Sequence, residues 1–124
     1  MRGPLIRLPD GLTASEEPYE PDLRRFYWLN RVLLDPNDPK PKRPVVVVAK
    51  STRGGGAISI VTRSTTDNFG VPHARRPEHG LNKNGWLSRL RYVSSELWTP
   101  SNARSMNLLL DDEDFSYVIR DFRL

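Results

Sequence analysis

The sequence predicts a mostly β (α+β) fold, a small barrel with one helix packed at its C-terminal end. The first observation behind this is residues 42–48, Lys-Arg-Pro-Val-Val-Val-Val. Four consecutive valines fit a strand, because branching at Cβ stiffens χ1 and suits a pleated, packed surface. A continuous apolar run without alternation also implies cover on both faces. The second is a set of short aromatic or β-branched segments (24–34, 58–61 and 86–93) separated by stretches rich in Pro and Gly. The third is the last segment, where Phe115, Val118, Ile119 and Phe122 recur at the spacing of one helix face. Asp111 can cap that helix, and Asp112, Glu113 and Asp114 favour the positive end of its dipole.

Taken in order, residues 1–23 read as an extended or disordered arm, with Pro4, Pro9, Pro18 and Pro21 and no hydrophobic period. Residues 24–124 form the barrel domain. Residues 24–34 read as a strand with a bulge near Asn30, a short helix being the competing assignment. Three prolines within residues 35–41 forbid regular structure and make a loop that feeds the valine strand. Pro44 opens that strand as its first residue, where a missing N–H is tolerated, and it biases Arg43 towards extended backbone. Gly54, Gly55 and Gly56 make a hairpin turn rather than a phosphate cradle, because a strand follows them and not a helix. Residues 67–85 form a long polar loop carrying both histidines. Residues 86–93 alternate, with Trp86, Ser88, Leu90 and Tyr92 on one side and Leu87, Arg89, Arg91 and Val93 on the other. Residues 97–110 hold a turn at Pro100-Ser101-Asn102 and a short strand after it.

At 124 residues the chain suits one domain with its own core. It has no cysteine, which excludes disulfides and thiolate metal sites. No apolar run approaches the roughly 18 residues of a membrane span. Residues 1–22 lack the apolar core of a secretory signal, so a cytoplasmic protein without membrane contact is expected. The net charge of +4 is uneven: residues 40–91 carry eleven Lys/Arg against Asp67 and Glu78, a local +9. A concentrated basic middle fits a polyanion, nucleic acid first; a solvated basic face is the plain alternative.

His73 and His79 fall in a loop and have no companions at metal-ligand spacing, so neither a metal nor a cofactor is expected. The acids cluster at the two ends, which leaves no carboxylate pair for hydrolysis. What remains is Arg43, Thr62, Arg63 and Ser64, with Arg89 and Arg91 on a later strand. Arginine with hydroxyls suits phosphate, since the guanidinium fork pairs two oxygens and hydroxyls add donors. RNA brings its own nucleophile in the 2′-OH, so positioning and charge stabilisation can cleave it without a metal. The same arginines could equally only grip a backbone.

Several segments resemble the MazF/PemK toxins of type II toxin–antitoxin systems. They are Phe26-Tyr27-Trp28-Leu29, then Arg43-Pro44 with Val45, Val46, Val47 and Val48, then Val61-Thr62-Arg63-Ser64. Gly80-Leu81-Asn82-Lys83-Asn84-Gly85 and Ser88-Arg89-Leu90-Arg91-Tyr92-Val93 fall where that family has similar segments, and the acidic helix start is also similar. The resemblance spans residues 24–122. It implies an SH3-like barrel, a homodimer, a cognate antitoxin, and metal-independent cleavage of single-stranded RNA to 2′,3′-cyclic phosphate and 5′-hydroxyl ends. By position, Arg43 and Thr62 would be catalytic. Lys42, Arg63, Ser64, Arg75, Arg76, Lys83, Arg89 and Arg91 would bind RNA. Arg24-Arg25 and Arg89 depart from the family's pattern at points that affect the RNA sequence read. Two other functions fit the same barrel: a non-catalytic nucleic-acid or partner-binding module, and a CcdB-like inhibitor of a protein target.

Overall fold

The computed structural model describes residues 16–51 and 56–124. Six strands run in chain order: β1 (Arg25–Asn30), β2 (Lys42–Lys50), β3 (Ala57–Ser64), β4 (Val71–His73), β5 (Gly85–Ser94) and β6 (Ala103–Leu109). One helix, α1 (Asp112–Asp121), follows. All strand pairs are antiparallel, in the order β4-β5-β3-β2-β1-β6. The sheet curls into a small half-barrel. Its two edges are drawn together by a 3-10 turn at Pro77–His79, whose His79 Nδ1 lies 2.9 Å from the Met106 carbonyl on β6. The expected class, mostly β with a C-terminal helix, is the one found.

The valine strand is covered on both faces, as its lack of alternation predicts. Val46 and Val48 face a cluster with Phe26, Val61, Val71, Leu87, Met106, Leu110 and Val118. This is the concave side, closed by α1. Val45 and Val47 face a second cluster with Tyr27, Leu29, Ile58, Ile60, Val93 and Trp98. Asp111 caps α1 by accepting from the Asp114 N–H at 2.8 Å. Of the residues expected on its inner face, Val118 is buried, and Phe115 and Phe122 pack against the first cluster.

Three expectations change, and part of the arm's course is described. The segment after β1 is a 3-10 turn at Arg31–Leu33, and Asn30 caps it by accepting from the Val32 N–H at 3.1 Å. The bulge falls instead between Arg25 and Tyr27, opposite β6. Within the arm, residues 16–23 lie on the sheet: the Tyr19 N–H donates to the Trp98 carbonyl at 2.9 Å and its hydroxyl to Ala103 O. Residues 1–15 and the tip of the glycine turn lie outside the described residues. The stretch expected as a loop, 67–85, contains β4 and the Pro77–His79 turn. Its inward His73 is only 3% exposed, where a solvated loop side chain was expected. The simple alternation of β5 is broken by a register shift, since Thr62 pairs with Arg89 but Arg63 with Leu87. Ser88 is therefore extra, which lets Leu87 and Leu90 share the concave cluster despite opposite parity.

If both faces of β2 are buried, Val46→Ala and Val47→Ala should each destabilise the protein by about 2 kcal/mol, from two lost methyl groups plus the cavity left behind. Urea unfolding midpoints check this; a neutral result at either position would expose one face to water.

Candidate nucleic-acid interface

Residue parity builds the candidate site. Thr62 lies opposite Val45 in the β2–β3 register, and Arg89 lies opposite Thr62 in the β3–β5 register. Arg91 lies opposite Ile60. Arg43, two residues before Val45, and all these side chains therefore share the convex face. Past Val45 the apolar cover of that face ends and a polar patch begins. Arg43, Thr62, Ser64, Arg89 and Arg91 line one hollow there of about 230 Å³, together with Asp38 and Asp67. A second hollow of about 230 Å³ adjoins it across Arg43, lined by Trp28, Lys40, Lys42, Asn82 and Lys83.

Arg43 is held by a carboxylate that sequence reasoning did not single out. Its Nε and Nη2 donate to the two Asp38 oxygens at 2.5 and 2.8 Å, a bidentate fork. Hydrogen bonding from Arg43 keeps Asp38 below its ordinary range, and the same bonds raise Arg43 further above its own. Arg43 thus stays cationic. The fork uses two of the five guanidinium N–H groups and leaves three for a ligand. The signal for Asp38 was present, an acid in the loop that delivers the chain into the Arg-Pro strand. The Thr62 hydroxyl is half-buried, with only a long 3.5 Å bond to the Arg89 carbonyl.

Arg63, Ser64, Lys42 and Lys83 also line these hollows, whereas Arg75 and Arg76 do not. Arg63 points inward and is 4% exposed. Its Nε donates to His73 Nδ1 at 2.9 Å, and its Nη2 donates to the carbonyls of His73 at 3.1 Å and Lys83 at 2.7 Å. It is therefore a tie between β3, β4 and residues 74–84 rather than an exposed cation. Gly85 leaves it room, since a Cβ there would stand 2.7 Å from Ser64 O and 3.0 Å from the guanidinium carbon. Ser64 Oγ accepts from the Thr66 and Asp67 N–H groups, each at 3.1 Å, and so orders the next turn. Lys42 and Lys83 are exposed at the second hollow. Arg75 is exposed and Arg76 half-buried, and both lie away from the two hollows; Arg76 donates to the carbonyls of Ala74 and Arg75. Among the described residues no group of three His, Asp or Glu side chains could hold a metal, and no helix is long and apolar enough to cross a membrane.

A chain of the MazE–MazF complex (Form-II) from Deinococcus radiodurans shares this fold. The match has a TM-score of 0.54 and 15% sequence identity, and covers 82% of this chain and 90% of that one. No protein-family model and no curated protein matches the sequence. The likeness is therefore one of fold.

The buried Arg63–His73 bond has a pH signature. Burial, with the charge of Arg63 second, pushes His73 down from 6.5 to about 4. The unfolded chain takes up that proton below pH 6.5, whereas the folded protein takes it only near pH 4. The stabilisation is thus complete above pH 6.5 and is lost as pH falls from 6.5 to 4. Between pH 6.5 and 5 the unfolding free energy should drop by roughly 1–2 kcal/mol, the slope rising towards 1.36 kcal/mol per pH unit as the unfolded histidine becomes fully protonated. Urea titrations across this range check it, and His73→Gln, which keeps an acceptor but cannot titrate, should flatten the slope.

Proposed function

We propose that this protein is a toxin of the MazF/PemK type, a metal-independent endoribonuclease acting on single-stranded RNA such as mRNA. The observation that carries this reading is the hollow shared by a carboxylate-braced Arg43, the Thr62 hydroxyl, Arg89 and Arg91. The MazF-like fold supports it. The RNA 2′-hydroxyl attacks the adjacent phosphorus and gives up its proton to solvent, while the P–O bond to the next nucleotide breaks and its 5′-oxygen takes up a proton from solvent. The products are a 2′,3′-cyclic phosphate and a 5′-hydroxyl. Arg43 clamps the charge that builds on the non-bridging oxygens. Its bidentate fork with Asp38 holds it in place as a charged clamp. Thr62 donates a further hydrogen bond to the same phosphate. Asp38 fixes the fork, and Lys42, Lys83 and Arg91 follow the strand on either side. Arg63 positions residues 74–84 from beneath. A homodimer, a cognate antitoxin that blocks the groove, and a cytoplasmic setting complete the proposal.

A second reading keeps RNA binding without cleavage. It is favoured by the acids in the hollow: Asp38 on Arg43 and Asp67 on Arg89, the latter at 3.3 Å. Exposed Tyr117 and Leu124 at the C-terminal end are the feature favouring a protein target, but single exposed apolar residues are ordinary on a surface.

Incubation of the protein with a long single-stranded RNA in EDTA should yield discrete fragments. Arg43→Ala should slow this by about 10²–10³, the usual effect of removing one transition-state donor. Thr62→Ala should slow it in the same direction. Intact RNA that still shifts on a gel would select the binding-only reading.

A further inference from the structure

Beside the Arg43–Thr62 hollow stands an aromatic side chain that neither core cluster uses. Phe69 is 49% exposed. The Arg89 guanidinium carbon lies 5.3 Å from its ring centroid, a cation–π stack. Arg89 also lines the hollow, so the ring and the proposed phosphate site share a residue.

The local chain holds this pair in place. Gly70 has φ +95, and a Cβ on it would meet the Leu87 carbonyl at 2.1 Å, so only glycine lets the turn lie flat on β5. That close approach sets Phe69 beside the Ser88 bulge. Asp67 Oδ2 accepts from Ser88 Oγ at 3.2 Å and from Arg89 Nε at 3.3 Å. Ser64 Oγ ties down the turn's first residues from the other side. A half-exposed phenyl ring that belongs to neither core cluster has no evident folding role that needs this bracing. Its chemistry suits a flat π-face carried by a polyanion.

We propose that Phe69, backed by Arg89, is a stacking shelf for one unpaired nucleobase of the strand whose phosphate enters the Arg43–Thr62 hollow. This rests on the nucleic-acid reading above and extends it to base contact. Arg89 joins the two functions, with one face against the ring and its edge towards the backbone. Stacking tolerates any base, so the shelf sets the position of the strand and leaves sequence choice to hydrogen-bonding groups.

The test uses uncleavable probes: a thymidine deoxydecamer and a decamer of abasic deoxyribose with the same phosphodiester charge. Their affinities for wild type, Phe69→Ala and Phe69→Trp are measured by fluorescence anisotropy at several salt concentrations. Wild type should bind the thymidine strand about tenfold more tightly than the abasic one, in line with a single base–aromatic stack. Phe69→Ala should lose most of that margin while binding the abasic strand as wild type does. Phe69→Trp should keep the margin, and its added indole emission should be quenched by the thymidine strand alone. Equal affinities of wild type and Phe69→Ala for the thymidine strand, with normal salt dependence, would overturn the shelf and leave the groove standing. Absence of salt-dependent binding of either probe by wild type would overturn both.

Discussion

The structure depends on burying β2 from two sides at once. A strand whose Val45, Val46, Val47 and Val48 are all almost completely shielded cannot sit at an edge or face water. It needs β1 and β3 as neighbours, one apolar cover from inside the curl and another from outside. The inner cover comes from α1 and the opposing wall of the half-barrel. The outer cover comes from Trp98 and Tyr27, with Tyr19 arriving from the N-terminal segment. The candidate site lies where the outer cover stops. Thr62 lies opposite Val45 and Arg43 two residues before it on the same face, so the most deeply buried strand ends directly in the polar hollow. Rigid support is what charge stabilisation of a phosphate requires, since donors held in place need no reorganisation when charge develops.

Arg43 and Arg63 show how one side-chain type takes two roles. Arg43 shares the convex face with Thr62, partly open to solvent and braced by one carboxylate. Arg63 follows Thr62 by one residue and so turns to the concave side, where burial holds it below its usual range and, among the described residues, no carboxylate pairs with it. Among the described residues its partners are carbonyls and a neutral histidine. A buried cation held this way is costly to break, because its removal leaves several carbonyls without a donor. The wall that carries Lys83 and Asn82 is therefore anchored from the interior, through the Arg63 bond to the Lys83 carbonyl, as well as by the Arg76–Leu81 bridge.

Much of this was legible in the chain. The valine run, the acid-capped helix and the Arg-Pro and Val-Thr segments each state their structure through local sterics or periodicity, and the structure places Arg43 and Thr62 together. Residues 67–85 were not legible, because β4 is three residues long, contains Pro72 and exists only through pairing with β5. The burial of His73 and Arg63 depends on that pairing, so no local signal announced it. The Ser88 bulge shifted the apparent alternation of β5. Phe69 is a lone aromatic in a polar run, and its position beside Arg89 appears only once Gly70 has brought the turn against the strand. Asp38 is different in kind: it is local to Arg43, but a loop acid among prolines reads as turn chemistry until the fork is seen.

The measurement closest to the central claim is the identity of the ends left on a defined RNA after incubation with the protein in EDTA, read by mass spectrometry. A site that only positions the strand and stabilises phosphate charge, with the 2′-OH as nucleophile, predicts 2′,3′-cyclic phosphate paired with 5′-hydroxyl. A single 2′-deoxy substitution at the cut nucleotide should then abolish that cut and no other. Fragments bearing 3′-hydroxyl and 5′-phosphate ends, or cleavage that survives the deoxy substitution, would contradict it.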